Sequence, residues 1–242
     1  VSARVADVLP AWKADGDARK AAVTVENLLT MEAGLDWPEG VYGASDPLME
    51  MVRSGRWVEF VADRSMVAEP GAVWQYNTGA SHLLSAILQE TTHISAAAFA
   101  YRYLFGPLGI DEVTWSTDPQ GVTIGGFGLQ MTAPDMAKLG YLYLHDGEWD
   151  GQQVVPAEWV AASTTSHAGV EPGLEYGYQW WVTAEGFQAR GLYGQQIWVL
   201  PDLDMVVVFL SDVRDEGIAP EYLMRQFVLP ATKDGQVGEL ED

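Results

Sequence analysis

The sequence predicts an α+β fold, and three observations carry that prediction. Between residues 21 and 165, apolar residues recur at helical spacing, with capping residues before the runs and glycines after them. Between residues 170 and 232 the period drops to two, in the short runs 176–182, 186–190, 195–200 and 205–210. Helical spacing then returns over 219–229, through Tyr222, Leu223, Gln226 and Phe227. Helices first, then antiparallel strands and a terminal helix, describe helices packed on an antiparallel sheet. No repeat, low-complexity tract or linker interrupts the chain before the polar tail from Lys233, so residues 1–242 read as one domain.

Each element has its own local reason. Val5, Val8 and Leu9 make a brief amphipathic turn that Pro10 stops, and 13–20 reads as a charged loop. Thr24 caps a helix through Leu28, Leu29 and Met31, ended by Gly34. Residues 46–61, with Pro47 in the first turn, read as another helix, and so do 95–104, broken by Gly106-Pro107. Thr132-Ala133-Pro134-Asp135 is a capping box opening a helix through Met136, Leu139 and Leu142. Residues 145–151 form a turn, and Pro156 starts the next helix. Residues 201–204 join the last two strands.

Composition excludes several function classes. Thirteen basic residues against 34 acidic ones give 13 − 34 = −21, so nucleic acid and anionic membrane, which need a basic face, are poor partners. The acidic surface reads as solvated and solubilising. The absence of cysteine removes disulfides, thiol nucleophiles and thiolate metal sites. No apolar run is long enough to span a bilayer. Val1 is not an initiator, and the expectation is that the natural start lies upstream.

Residues 69–88, E-P-G-A-V-W-Q-Y-N-T-G-A-S-H-L-L-S-A-I-L, carry the chemistry. Pro70-Gly71 reverses the chain before Trp74-Gln75-Tyr76, and a helix with Leu83, Leu84, Ile87 and Leu88 follows. Such a turn can present the Tyr76 hydroxyl at the lip of a helix; Tyr76 reads otherwise as a structural tyrosine capping it. The segment resembles the Tyr-x-Asn or Tyr-x-Ser motif of the serine β-lactamase-related hydrolases. That group includes class C β-lactamases, DD-peptidases, esterases and 6-aminohexanoate-oligomer hydrolases. Thr78 takes the Asn/Ser place. Residues 24–35, T-V-E-N-L-L-T-M-E-A-G-L, are similar to the family's T-x-x-x-L-L-T-x-x-x-G-L, and Pro107-Leu108-Gly109 to its PLG. The stretches 125–160 and 189–210 add to the match.

The resemblance implies a β-lactamase/penicillin-binding-protein-like fold and a serine hydrolase acting on an ester, small amide or β-lactam-like substrate through an acyl-enzyme. It implies no cofactor and no metal. The family's nucleophile comes from Ser-x-x-Lys, which should precede residue 24 by several dozen positions; no serine here has Lys three places on. The chain therefore reads as the later portion of the domain, its first strands and nucleophile helix absent. Beside the missing lysine, Tyr76 would relay a proton between nucleophile and leaving group. The third motif, Lys-Thr-Gly or His-x-Gly, aligns with Ala189-Arg190-Gly191. It implies an oxyanion-binding Leu192 N–H and room for substrate at Gly191.

Ala189 departs from the usual basic residue. Arg190 cannot replace it, because neighbours on a strand point to opposite faces. Arg190 reads either as a solvated strand charge or as a substrate contact, and Gln195 either as a family residue of the site or as packing. Other constellations are weaker. His82 reads as a satisfied helix histidine, and residues 79–83 fail the last glycine of a nucleophile elbow. Glu171, Glu175, Asp202 and Asp204 face either a hard cation or water. Trp159, Trp180, Trp181 and Trp198 line a cleft or fill a core.

A non-catalytic binding or scaffold protein of the same fold is the rival reading. Because the family's first strands lie beside its last one, the 205–210 edge should be covered by an upstream segment or another chain. The resemblance favours an extracytoplasmic site, periplasmic or secreted.

Overall fold

A computed structural model describes residues 1–40, 43–213 and 220–233. Its centre is a six-stranded antiparallel sheet. The strands are β1 (Ala168–Glu171), β2 (Leu174–Tyr176), β3 (Trp181–Thr183), β4 (Gly186–Gly191), β5 (Gln195–Leu200) and β6 (Met205–Phe209). They lie in chain order, so β6 is an edge strand whose pairing among the described residues is with β5 alone. Alternation divides the sheet into two apolar faces. Phe187, Ile197 and Val199 pack with Met136 on one face, and Trp198 and Leu200 pack with Met224 and Leu229 of the closing helix on the other.

The helical half is built around α1 (Val25–Leu29), α2 (Pro47–Ser54), α3 (Trp57–Ala62) and α4 (Thr78–Thr92). Their shared core holds Leu28, Trp37, Met51, Val61 and Leu83 and runs on to Tyr176 of the sheet. The two halves thus share one apolar interior. Helix α5 (Ala133–Leu144), capped by Thr132, lies against β5 and β6. The approach is close at Gly140, where a Cβ would stand 2.5 Å from Val206 Cγ1. Among the described residues, no helix is long and apolar enough to cross a membrane.

Several expected elements break where side-chain periodicity carries no signal. The helix predicted over 46–61 is two, α2 and α3, because Gly55 is left-handed (φ 70°) and ends the first. The strand predicted over 176–182 is likewise two: Tyr176 ends β2, Trp181 opens β3, and Gln179 turns the chain with φ 63°. The Thr24 helix stops at Leu29, and Met31 is itself left-handed at φ 63°. The charged loop 13–20 ends in a helical turn, Ala18–Ala22, capped by Asp17. The 95–104 helix is α-helical over Ala96–Ala100 and widens to a π turn over Tyr101–Phe105. The closing helix starts at Pro220 and contains a π turn at Met224–Val228; Ala219 and the tail beyond Lys233 lie outside the described residues.

Candidate active site

Tyr76 sits where the helical half meets the sheet. Gly71, with φ 80°, makes the turn that precedes it, and its N–H donates to the Glu32 carbonyl at 2.9 Å. The Gln75 N–H donates to the Met31 carbonyl at 2.9 Å, which fixes the backbone before the tyrosine. After it, the Asn77 Oδ1 accepts from the Ala80 N–H at 2.8 Å and caps α4. Gly79 has no room for a side chain, because a Cβ would lie 2.8 Å from both Trp37 and Val61.

The half-buried Tyr76 ring stacks on the indole of Trp181, centroids 6.0 Å apart and planes 21° apart. Trp74 and Tyr176 close the group, 5.6 Å and 5.1 Å from the same indole. Burial pushes the Tyr176 phenol far above its usual range, and Tyr76 nearby adds to the shift. The Arg190 guanidinium lies 5.1 Å from the Trp181 ring centroid, within cation–π reach. Tyr76 is therefore joined, through one indole, to the strand whose last residue is Gly191.

A third element ties the corner together. Gln179, at the β2–β3 turn, donates its N–H to the Leu29 carbonyl and its Nε2 to the same oxygen, both at 3.1 Å. Its Oε1 accepts from Ser81 Oγ of α4 at 2.8 Å. One glutamine thus spans α1, α4 and the sheet.

The family described as Beta-lactamase matches residues 1–226 of the sequence. The chain belongs to the Beta-lactamase family. Among curated proteins it is similar to the 6-aminohexanoate-dimer hydrolase of Paenarthrobacter ureafaciens, 25% identical over 217 residues, which are 79% of this chain and 55% of that one. A solved structure of a Bacillus anthracis protein described as a 6-aminohexanoate-dimer hydrolase superposes with a TM-score of 0.82 at 21% identity, covering 96% of this chain and 66% of the other. The octameric penicillin-binding protein homologue from Pyrococcus abyssi gives 0.71 at 21%, covering 94% and 59%. The fold is thus β-lactamase/penicillin-binding-protein-like. The chain spans between about half and two-thirds of the length of these relatives.

Set against the Beta-lactamase family motifs, the predicted residues fall into two groups. Tyr76 and Arg190 both contact the Trp181 indole, and Gly191 follows Arg190 at the end of β4. Leu192 and Tyr193 form the exposed tip of the β4–β5 hairpin, with left-handed Tyr193 and Gly194 making the turn. That tip is held from below: Ser211 Oγ donates to the Gly194 carbonyl at 2.8 Å, and the Val213 N–H to the Tyr193 carbonyl at 2.9 Å. Gln195 is exposed and donates its Nε2 to the Ser211 carbonyl at 3.2 Å, so it braces the hairpin.

Two residues do something the sequence did not reveal. Thr78 is buried, and its hydroxyl donates to Glu39 Oε1 at 2.6 Å, so its proton is committed to a carboxylate. Arg190 is partly buried and lies between the Trp181 ring and Glu221 of the closing helix, 3.5 Å from that carboxylate. Ala189 points to the opposite face, with the apolar group around Phe187 and Ile197, as strand alternation requires. Gln188, fully buried beside these residues on β4, has no hydrogen-bond partner for either amide atom among the described residues.

His82 is a core histidine. It is fully buried, with Nε2–H directed at Asp118 Oδ2 at 3.2 Å, while its Nδ1 accepts from the Gly125 N–H at 3.4 Å. This pattern needs the neutral ring, and burial lowers the imidazole pKa despite the nearby carboxylate. The pair holds the Gly125-Gly126 loop on α4, with the site of a Gly126 Cβ only 2.5 Å from Thr78 Cγ2. Of the residues sequence reasoning missed, Glu39, Gln179 and Asp118 carry no periodic or motif signal.

Proposed function

We propose that this chain is the larger part of a serine hydrolase that acts on an ester, small amide or β-lactam-like acyl substrate through an acyl-enzyme. The seating of Tyr76 on Trp181, beside the strand ending at Gly191, is the observation that carries this reading. A Ser-x-x-Lys segment upstream of Val1 supplies the nucleophile, and its ammonium favours the anionic Tyr76. The tyrosinate then moves the proton between serine and leaving group. The β4–β5 hairpin, through Gly191 and the Leu192 N–H, serves the developing oxyanion. Water hydrolyses the acyl-enzyme. The reaction needs no metal or cofactor, and the protein works outside the cytoplasm.

The same upstream segment covers the β6 edge, whose Met205, Val207 and Phe209 on one face and Val206 and Val208 on the other make it apolar on both sides. A second chain there is the alternative cover.

A non-catalytic binding homologue is the second reading, and two observations favour it. Ala189 replaces the basic residue of the third motif, and the Thr78 proton is bound to Glu39. Treating the protein extended upstream of Val1 with a fluorophosphonate probe separates the two. The hydrolase reading expects a single labelled serine in Ser-x-x-Lys, and labelling slowed about 100-fold or more in Tyr76→Phe. No labelling, or equal rates in wild type and Y76F, supports the binding protein instead.

A further inference from the structure

We propose that Glu39 is a positioning residue for Tyr76. The role rests on the reading of Tyr76 as the proton relay. The Glu39 carboxylate accepts three hydrogen bonds: from the Thr78 N–H at 2.8 Å, from Thr78 Oγ1 at 2.6 Å and from Trp37 Nε1 at 2.6 Å. Bonds of this length to a carboxylate are the strong kind. They tether the residue two places after Tyr76, while the Gln75–Met31 bond tethers the residue just before it. The tyrosine backbone is thus bracketed on both sides.

The carboxylate is itself held in place. Trp37 is fully buried, and the far end of its indole lies against Gly79, so it can donate to Glu39 in only one orientation. Glu39 does not duplicate the helix cap, because Asn77 Oδ1 already takes the Ala80 N–H. What Glu39 adds is a fixed point at the first residue of α4, at a stretch that is extended at Asn77 (φ −147°, ψ 95°) and helical from Thr78 on. A rotation at this junction would carry the Tyr76 ring off Trp181. The same bonds explain why threonine serves at position 78: its hydroxyl and N–H together span both oxygens of one carboxylate.

The test uses this chain with fluorotyrosine incorporated. The Tyr76 resonance is identified by its absence in Tyr76→Phe, and Trp181 displaces it by ring current. Glu39→Ala is expected to collapse that displacement. Glu39→Gln, which keeps the shape and one acceptor, is expected to shift it part of the way. The exposed Tyr222 should not move in either variant. A Tyr76 resonance at its wild-type position in either folded variant overturns the proposal.

In the upstream-extended protein, E39A should lower kcat about 10- to 100-fold with little change in KM, the pattern of a misplaced group rather than a lost contact. Equal kcat overturns the role in catalysis. The spectroscopic result is independent of turnover. A failure of Tyr76 as proton relay would show in Y76F activity, and a failure of Glu39 as its anchor would show in the resonance.

Discussion

Tyr76 and Trp181 come from opposite halves of the chain and lie ring on ring, 6.0 Å between centroids and 21° between planes. The contact joins a helix N-terminus to the sheet, so the candidate site and the packing between the halves depend on the same pair. Trp181→Ala removes the shared platform of Tyr76, Trp74, Tyr176 and Arg190, and should cost about 3 kcal/mol. Trp181→Phe keeps an aromatic face and should cost about half as much. Urea denaturation of the three proteins measures both; equal loss would mean that aromatic stacking contributes nothing.

His82 makes stability depend on pH in a definite direction. Burial holds its folded pKa below the ordinary imidazole value of about 6.5, so the unfolded chain takes up a proton that the folded chain refuses. Stability should therefore fall as pH drops below about 6.5, by at most about 1.4 kcal/mol per unit. The groups facing the ring are Asp118, the Gly125 N–H and the Trp57 ring. His82→Gln should flatten the slope between about pH 5 and pH 7 relative to wild type, even if stable at neither end. Parallel slopes in denaturant melts would assign the dependence to other groups.

The glycine loop should be intolerant where α4 touches it. A Cβ at Gly125 would stand 2.0 Å from the Ser81 carbonyl oxygen and 2.9 Å from His82 Cα, both backbone atoms that cannot step aside. Gly125→Ala should cost about 3 kcal/mol or more. Gly121→Ala, with nothing within 4 Å and only a left-handed φ of 87° against it, should cost about 1 kcal/mol. Comparing the two by thermal melting separates steric exclusion from backbone strain.

The β6 edge should make this chain, expressed alone, self-associate. Met205–Phe209 carries no charge, lies at the end of the sheet and packs apolar side chains to both faces. Sedimentation over a concentration series should show reversible association, and Phe209→Lys should suppress it, since a lysine on an edge strand opposes pairing. A wild-type chain that stays monomeric throughout the series would remove the need for a covering strand.

Much of the fold was legible because local rules and tertiary demands agreed. Thr24 and Thr132 cap the helices assigned to them, and the 195–210 hairpin forms with Pro201–Leu203 at its bend. The motif singled out Tyr76, and the structure seats its ring on Trp181. The partner of Thr78 was not legible, because a motif records residue type while Glu39 lies across a loop with no periodicity. The partner of Arg190 was hidden for a related reason: alternation told which way it points, but only the closing helix supplied Glu221 to meet it.

The sequence by itself determined the order of helices and strands, since spacing between near neighbours sets it, and its motifs resembled the family to which the chain belongs. The tertiary structure alone decided that Trp181 receives Tyr76, that Glu39 and Gln179 anchor α4 and that His82 stays neutral. Those facts depend on side chains dozens of residues apart reaching one another in a dry interior, where hydrogen-bond partners and burial set position and charge.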